Sequence, residues 1–209
     1  MKQRMRYTAK LALLVSLLAS APSWAAWHLD STQSRLGFVS IKQGNVAETH
    51  QFLTLTGQVN AQQQVCVSID LARVDTKIPL RDERMRELLF KTASYPLAII
   101  QAQLPPALLT DLAVGSTQHQ VLNAELNLHG VKKNLELSLT VSRLSADRLL
   151  VVNDAPLVVQ AGDFKLADGV ETLRGLAKLD SISHAVPVNF VLNFQDGADS
   201  VATPLAGCW

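Results

Sequence analysis

Aromatic residues are scarce: Phe, Trp and Tyr together make up 5% of the chain. A β-rich interior filled by protein alone would be expected to use bulkier side chains, so the scarcity favours an interior with space in it. An ordinary packed core stays open on composition alone. Familiar catalytic signatures are also missing. The sequence has no G-x-S-x-G, no P-loop and no G-x-G-x-x-G. Its five histidines, His28, His50, His119, His129 and His184, show no ligand spacing and no H-E-x-x-H, so no metal site is assigned. They are read as solvated, with His129 on the wet face of a strand. Asp70, Asp75, Asp82 and Glu83 form no acid/base pair; Asp82 and Glu83 suit the first turn of a helix, where carboxylates favour the dipole. No catalytic residue is therefore assigned.

Long apolar runs are absent beyond the N-terminus, so no internal stretch is read as a membrane span. Repeats, low-complexity tracts and linkers are absent too. The N-terminus itself reads as a secretory signal peptide over residues 1–25. Lys2, Arg4, Arg6 and Lys10 form a basic region, Leu11–Ala19 a short apolar run, and Ser23-Trp24-Ala25 a cleavage site with small residues in the right places. The apolar core is shorter than the roughly 20 residues a spanning helix needs. No Cys lies near the cut to carry a lipid anchor. Cleavage leaves one domain, 26–209, exported to an oxidising compartment. The removed segment carries four basic and no acidic residues, so the 19 basic residues become 15 against 18 acidic. A mildly acidic domain has no electrostatic reason to bind nucleic acid.

Cysteine is nearly absent as well. There are two, Cys66 and Cys208, and no C-x-x-C. That spacing argues against a redox-active pair. In an oxidising compartment the two can form a disulfide tying the C-terminal tail to an early strand. Two unpaired thiols are the alternative.

What the chain does contain is period-two alternation. In Leu122–Val141, Leu122, Ala124, Leu126 and Leu128 alternate with polar residues. After a break at Gly130–Lys133, Leu135, Leu137, Leu139 and Val141 do the same. This is an antiparallel hairpin with one dry face and one wet face. Two strands cannot hide a dry face, so other segments must supply its cover. Trp27–Ile41 reads as strand, turn, strand, and Thr49–Asn60 as one strand with a bend at Gly57. Val65–Val74 alternates so that Cys66 points away from the dry side. Ile78–Lys91 reads as a short helix at 3.6-residue spacing, and Thr172–Asp180 as a second. Ala98–Leu104 is a strand stopped by Pro105-Pro106. Leu149–Val159 is apolar on both faces and is expected to be covered on both, the second helix being available for this. Val186–Gln195 closes the domain.

About eight strands with short turns and no βαβ alternation favour an antiparallel barrel or a sandwich. Eight strands closed on themselves enclose an interior that side chains just fill or that holds one small ligand. The alternating dry-face set is Leu36, Phe38, Leu53, Leu55, Val67, Ile69, Ile100, Leu122, Leu126, Leu137, Leu139, Phe190 and Leu192. These residues line a tunnel if there is one and form the core if there is not.

Four motifs in order resemble those of the YceI-like family. Trp27-His28-Leu29-Asp30 with Ser34-Arg35-Leu36-Gly37-Phe38 resembles its opening, and Leu55-Thr56-Gly57 its glycine strand. Val74-Asp75-Thr76, Arg81-Asp82 and Phe90–Pro96 resemble its central signature, and Leu126–Lys133 its H-G-V turn. Gln33 stands where the family often has His, Leu89 where a second Phe is common, and Asp163–Ser183 departs from the motifs. The resemblance implies an all-β, lipocalin-like eight-stranded antiparallel β-barrel with one or two short helices. It implies a periplasmic lipid-binding protein that holds a polyisoprenoid or isoprenoid-quinone chain in an apolar tunnel, as carrier or store. No cofactor is expected beyond such a bound isoprenoid lipid or quinone. An enzyme acting on an isoprenoid, or a packed-barrel interaction module touching the membrane or a membrane cytochrome, are the competing readings.

Overall fold

A computed structural model describes residues 27–197 and Cys208. The signal segment expected at residues 1–25 lies outside the described residues. The strands are β1 (Trp27–Leu29), β2 (Arg35–Lys42), β3 (Val46–Phe52), β4 (Leu55–Val59), β5 (Gln64–Asp70) and β6 (Val74–Asp75). Helix α1 (Pro79–Arg84) then runs into a π-helical turn (Met85–Leu89). Next come β7 (Leu97–Gln103), α2 (Pro106–Asp111), β8 (Thr117–Leu128), β9 (Val131–Ser145), β10 (Arg148–Asn153) and β11 (Leu157–Gln160). A 3₁₀ turn (Ala161–Phe164), α3 (Ala167–Leu176) and β12 (Ala185–Asp196) complete the order.

The ring runs β1-β4-β5-β7-β8-β9-β10-β12 and closes where Trp27–Leu29 pair with Phe194–Asp196. Every pairing is antiparallel, and the result is a closed eight-stranded lipocalin-like barrel. The four extra strands arise because four positions are interrupted, one of them where β5 breaks at Leu71–Arg73 and resumes as β6 to pair with β3. β12 pairs first with β1 and then with β2 on one side, and with β10 and then β11 on the other. Thr49–Asn60, expected as one strand, is likewise broken into β3 and β4 at Leu53-Thr54. Closure removes the open edges of the eight-stranded ring itself, while β6 and β11 each pair on one side only.

The long hairpin is as its alternation requires, with Leu122 opposite Leu137 and Ala124 opposite Leu135. Its turn is tighter than expected. His129 and Gly130 both have positive φ, 52° and 74°, and β9 starts at Val131. Two residues with φ > 0 match the twist of the flanking strands. His129 is thus a turn residue rather than a wet-face strand residue. It is buried, with its ring 4.3 Å from that of Tyr95.

Other expectations need correcting. The described residues contain three short α-helices, α2 among them because Pro105-Pro106 starts a helix as well as stopping β7. Proline fits the first helical turn, where its missing N–H is no loss. α3 begins at Ala167, not Thr172, and packs on the π-helical turn rather than over Leu149–Val159. The fit is close: a Cβ at Gly169 would meet Leu89 Cα at 2.9 Å. Leu149–Val159 is accordingly not covered on both sides, and Val158 is 50% exposed. Gly57 does mark a tight passage, where a Cβ would lie 3.1 Å from Leu29 Cβ.

Cys66 points off the barrel's outer face and is bonded to Cys208 across 142 residues of sequence. Both are buried in a small outer cluster with Ile99 and Leu97. A loop of that length is worth about 5 kcal/mol in the chain-entropy model, an upper figure. Replacing both cysteines by Ala is expected to lower the stability read from urea unfolding by about 3–5 kcal/mol. An unchanged midpoint would show that the tail contributes nothing to the fold.

Candidate functional site

The inward side chains of the ring do not meet. They surround a cavity of about 240 Å³. A water needs only about 10–15 Å³ of such space, so this is room for a ligand and not a packing defect. Its wall is aliphatic and aromatic. The one polar residue on it is Gln101, which alternates with Ile100 and Ala102 and so turns its side chain out beside Cys66. Among the described residues, no titratable side chain lines the cavity.

Along β8 the wall runs from Leu122 to Leu128, seven residues or roughly 20 Å of strand. At one end Leu104, Leu108 and Leu109 of α2 and its approach form a floor. Arg143 fixes that floor by donating from Nη1 to the Leu109 carbonyl at 2.9 Å and from Nη2 to the Ala146 carbonyl at 2.9 Å. At the other end Met85, Leu89 and Phe90 of the π-helical turn meet Leu166 and Val170 of α3 to form a cap. The small residues Ala98, Ala102 and Ala124 keep the middle wide.

The cap is tied down by a buried polar knot. Asp82 accepts from the Thr76 backbone N–H at 2.9 Å. Arg81 donates to the Thr76 carbonyl at 2.8 Å and to Glu48 of β3 at 2.7 Å. Ion pairing to Lys42 and Arg81 holds the Glu48 carboxyl below its ordinary pKa. Beneath the knot, His50 hydrogen-bonds Ser40 Oγ through Nε2 at 2.8 Å.

Burial lowers the pKa of both His50 and His129, and nearby cations (Arg81 and Lys42 for His50, Lys91 and Lys165 for His129) push the same way. Both imidazoles therefore take up a proton less readily in the fold than in the unfolded chain. A group protonated more easily when unfolded stabilises above its unfolded pKa of about 6.5 and loses that contribution as pH falls below it. The melting temperature is expected to drop between about pH 7.5 and pH 5, and His50→Gln to flatten the drop. A wild-type profile that is level over that window, in thermal unfolding, would contradict it.

Of the thirteen residues in the alternating set, eleven lie on the cavity wall. Leu55 is buried beside the wall rather than on it. Leu53 is a correction: it is 51% exposed, because the chain turns between β3 and β4 and takes it out of the alternation. Missed by strand alternation are the cap and floor residues, Met85, Leu89, Phe90, Leu104, Leu108, Leu166 and Val170. The 3.6-residue spacing of Met85, Leu88 and Leu89 was the available signal for the first of these.

The YceI-like domain model matches residues 27–194. The chain belongs to the YceI-like family. Among solved YceI-like structures, a polyisoprenoid-binding domain from Saccharophagus degradans, implicated in plant cell wall breakdown, is 43% identical. That match covers 82% of this chain and 99% of the other, with a TM-score of 0.81. Burkholderia cenocepacia BcnA shares the fold at 19% identity and a TM-score of 0.60, over 79% of this chain and 98% of its own. A Campylobacter jejuni YceI protein does so at 15% identity and a TM-score of 0.52, over 70% and 84%. No curated protein matches the chain. Among the described residues, no group of three or more His, Cys, Asp or Glu could hold a metal ion.

Proposed function

We propose that the protein binds a polyisoprenoid chain, the tail of an isoprenoid quinone included, in the barrel cavity, and serves as its carrier or store in the periplasm. The observation that carries this reading is the cavity wall, long, apolar and without an ionisable group. The polyisoprenoid-binding relative at 43% identity supports the same ligand class. Aliphatic walls suffice for such a chain. At about 0.8 kcal/mol per buried CH₂, each five-carbon unit contributes roughly 4 kcal/mol before the costs of ordering. A wall without acid, base or nucleophile supports binding over catalysis. The ligand is cargo, held without a covalent bond. Export is supported by the basic and apolar N-terminal sequence and by the disulfide, which suits an oxidising compartment.

The test is mass spectrometry of solvent extracts from protein purified out of the periplasm. A prenyl-chain lipid at near-stoichiometric amount is expected. Repeated extraction of none, from protein that folds normally, would overturn the reading.

A further inference from the structure

We propose that the capped end of the barrel docks on an anionic phospholipid bilayer, with the tip Lys77-Ile78-Pro79-Leu80 entering the interface so that lipid passes between membrane and cavity. The proposal deepens the lipid-binding reading and rests on it. Two independent observations carry it. The first is the tip itself. Lys77 takes a left-handed conformation (φ 64°), its N–H donating to Asp75 Oδ1 at 3.0 Å, and turns the chain outward. All four tip residues are exposed, Ile78 at 48% and Leu80 at 55%. Apolar side chains left facing water gain nothing for the fold, and neighbouring ones that share a protruding tip offer an apolar surface for contact. Val46, on the hairpin that Arg81 grips through Glu48, is exposed at the same rim.

The second observation is charge. The cap segments 71–96 and 161–180 together with the 129–133 turn carry 11 Lys or Arg and 8 Asp or Glu. The other described residues carry 4 and 9. Of the cations beside the tip, Lys77 pairs with Asp75, and Arg81 shares Glu48 with Lys42. With Glu125, which pairs with Lys132, the capped end as a whole keeps a small basic excess, and the acidic excess lies away from it. Apolar side chains framed by cations are the chemistry of an anionic lipid interface. A second copy of this chain would bring the same positive end against itself. The tip is also held firmly. Thr76 and Asp82 lock its base, and the turn that follows α1 puts Met85 and Leu89 on the cavity wall. The docking surface and the cover of the cavity are one segment.

Co-sedimentation of the purified protein with phosphatidylcholine vesicles, with and without about one-third phosphatidylglycerol, tests this. Binding is expected with the anionic vesicles and to weaken several-fold without the anionic lipid or in high salt. Ile78→Ser/Leu80→Ser is expected to reduce it by about tenfold, and Val121→Ser, exposed on the barrel wall, by less than about twofold. Leu80→Trp reports insertion directly, by a blue shift of its emission on anionic vesicles. No vesicle binding, binding untouched by the double substitution, or a dimer that the double substitution dissolves would each overturn the proposal. The prenyl-lipid content of each preparation separates the two readings. Protein that carries lipid but ignores vesicles overturns the docking alone, and vesicle binding by protein that never carries lipid overturns the cargo.

Discussion

A Leu137→Arg protein is expected to lose its bound lipid and about 3–5 kcal/mol of stability. Leu137 is buried, faces Leu122 across the hairpin and lies on the cavity wall. Nothing on that wall can partner a guanidinium, since no carboxylate lines it. Nor can the side chain reach water along the strand. Leu137 is six residues from Val131, roughly 20 Å of extended chain. The charge is left buried and unpaired, which is the costly case. Leu137→Met keeps the volume and the polarity, so it is expected to retain lipid at a cost under about 1.5 kcal/mol. Urea unfolding and extraction of the two variants side by side make the comparison. An Arg variant as stable as the Met variant would mean that water reaches the wall.

The barrel was legible because its strands are long and its inside and outside differ. Twelve residues of β8 and fifteen of β9 repeat one simple alternation, and the register follows from putting the leucines on one side. The wall residues of β5, β7 and β12 were legible for the same reason. Leu53 was not, because alternation identifies a face only while the strand continues, and this strand stops at Phe52. His129 was not, because a turn with two positive φ values inverts the pattern at its own position. Its burial depends on Tyr95, which is distant in sequence.

The ends of the cavity were the least legible part. α1 and α2 are six residues each, too short for a strong periodic signal, and they are held by tertiary contacts rather than by helical propensity. Arg143 anchoring α2 and Arg81 anchoring α1 each act across more than thirty residues of sequence. Composition carried one further hint. Few aromatics and three inward alanines leave an interior wider than the strands need, yet composition cannot say whether the space is used or closed.

Ala124→Phe decides whether it is used. Ala124 is buried on the cavity wall and pairs in register with Ala102, so two small side chains sit together on that wall. A phenyl ring placed there projects into open space and buries apolar surface now unmatched by any partner atom. Filling such a void is expected to raise stability by about 0.5–2 kcal/mol. The same ring stands across the path of an isoprenoid chain, and extracted lipid is expected to fall by about tenfold. Gain of stability with loss of ligand, in one substitution on folded protein, is the behaviour of a space kept open for cargo at the expense of the fold. The contrary result, a loss of about 1–3 kcal/mol through overpacking, would mean that the interior closes on its own side chains.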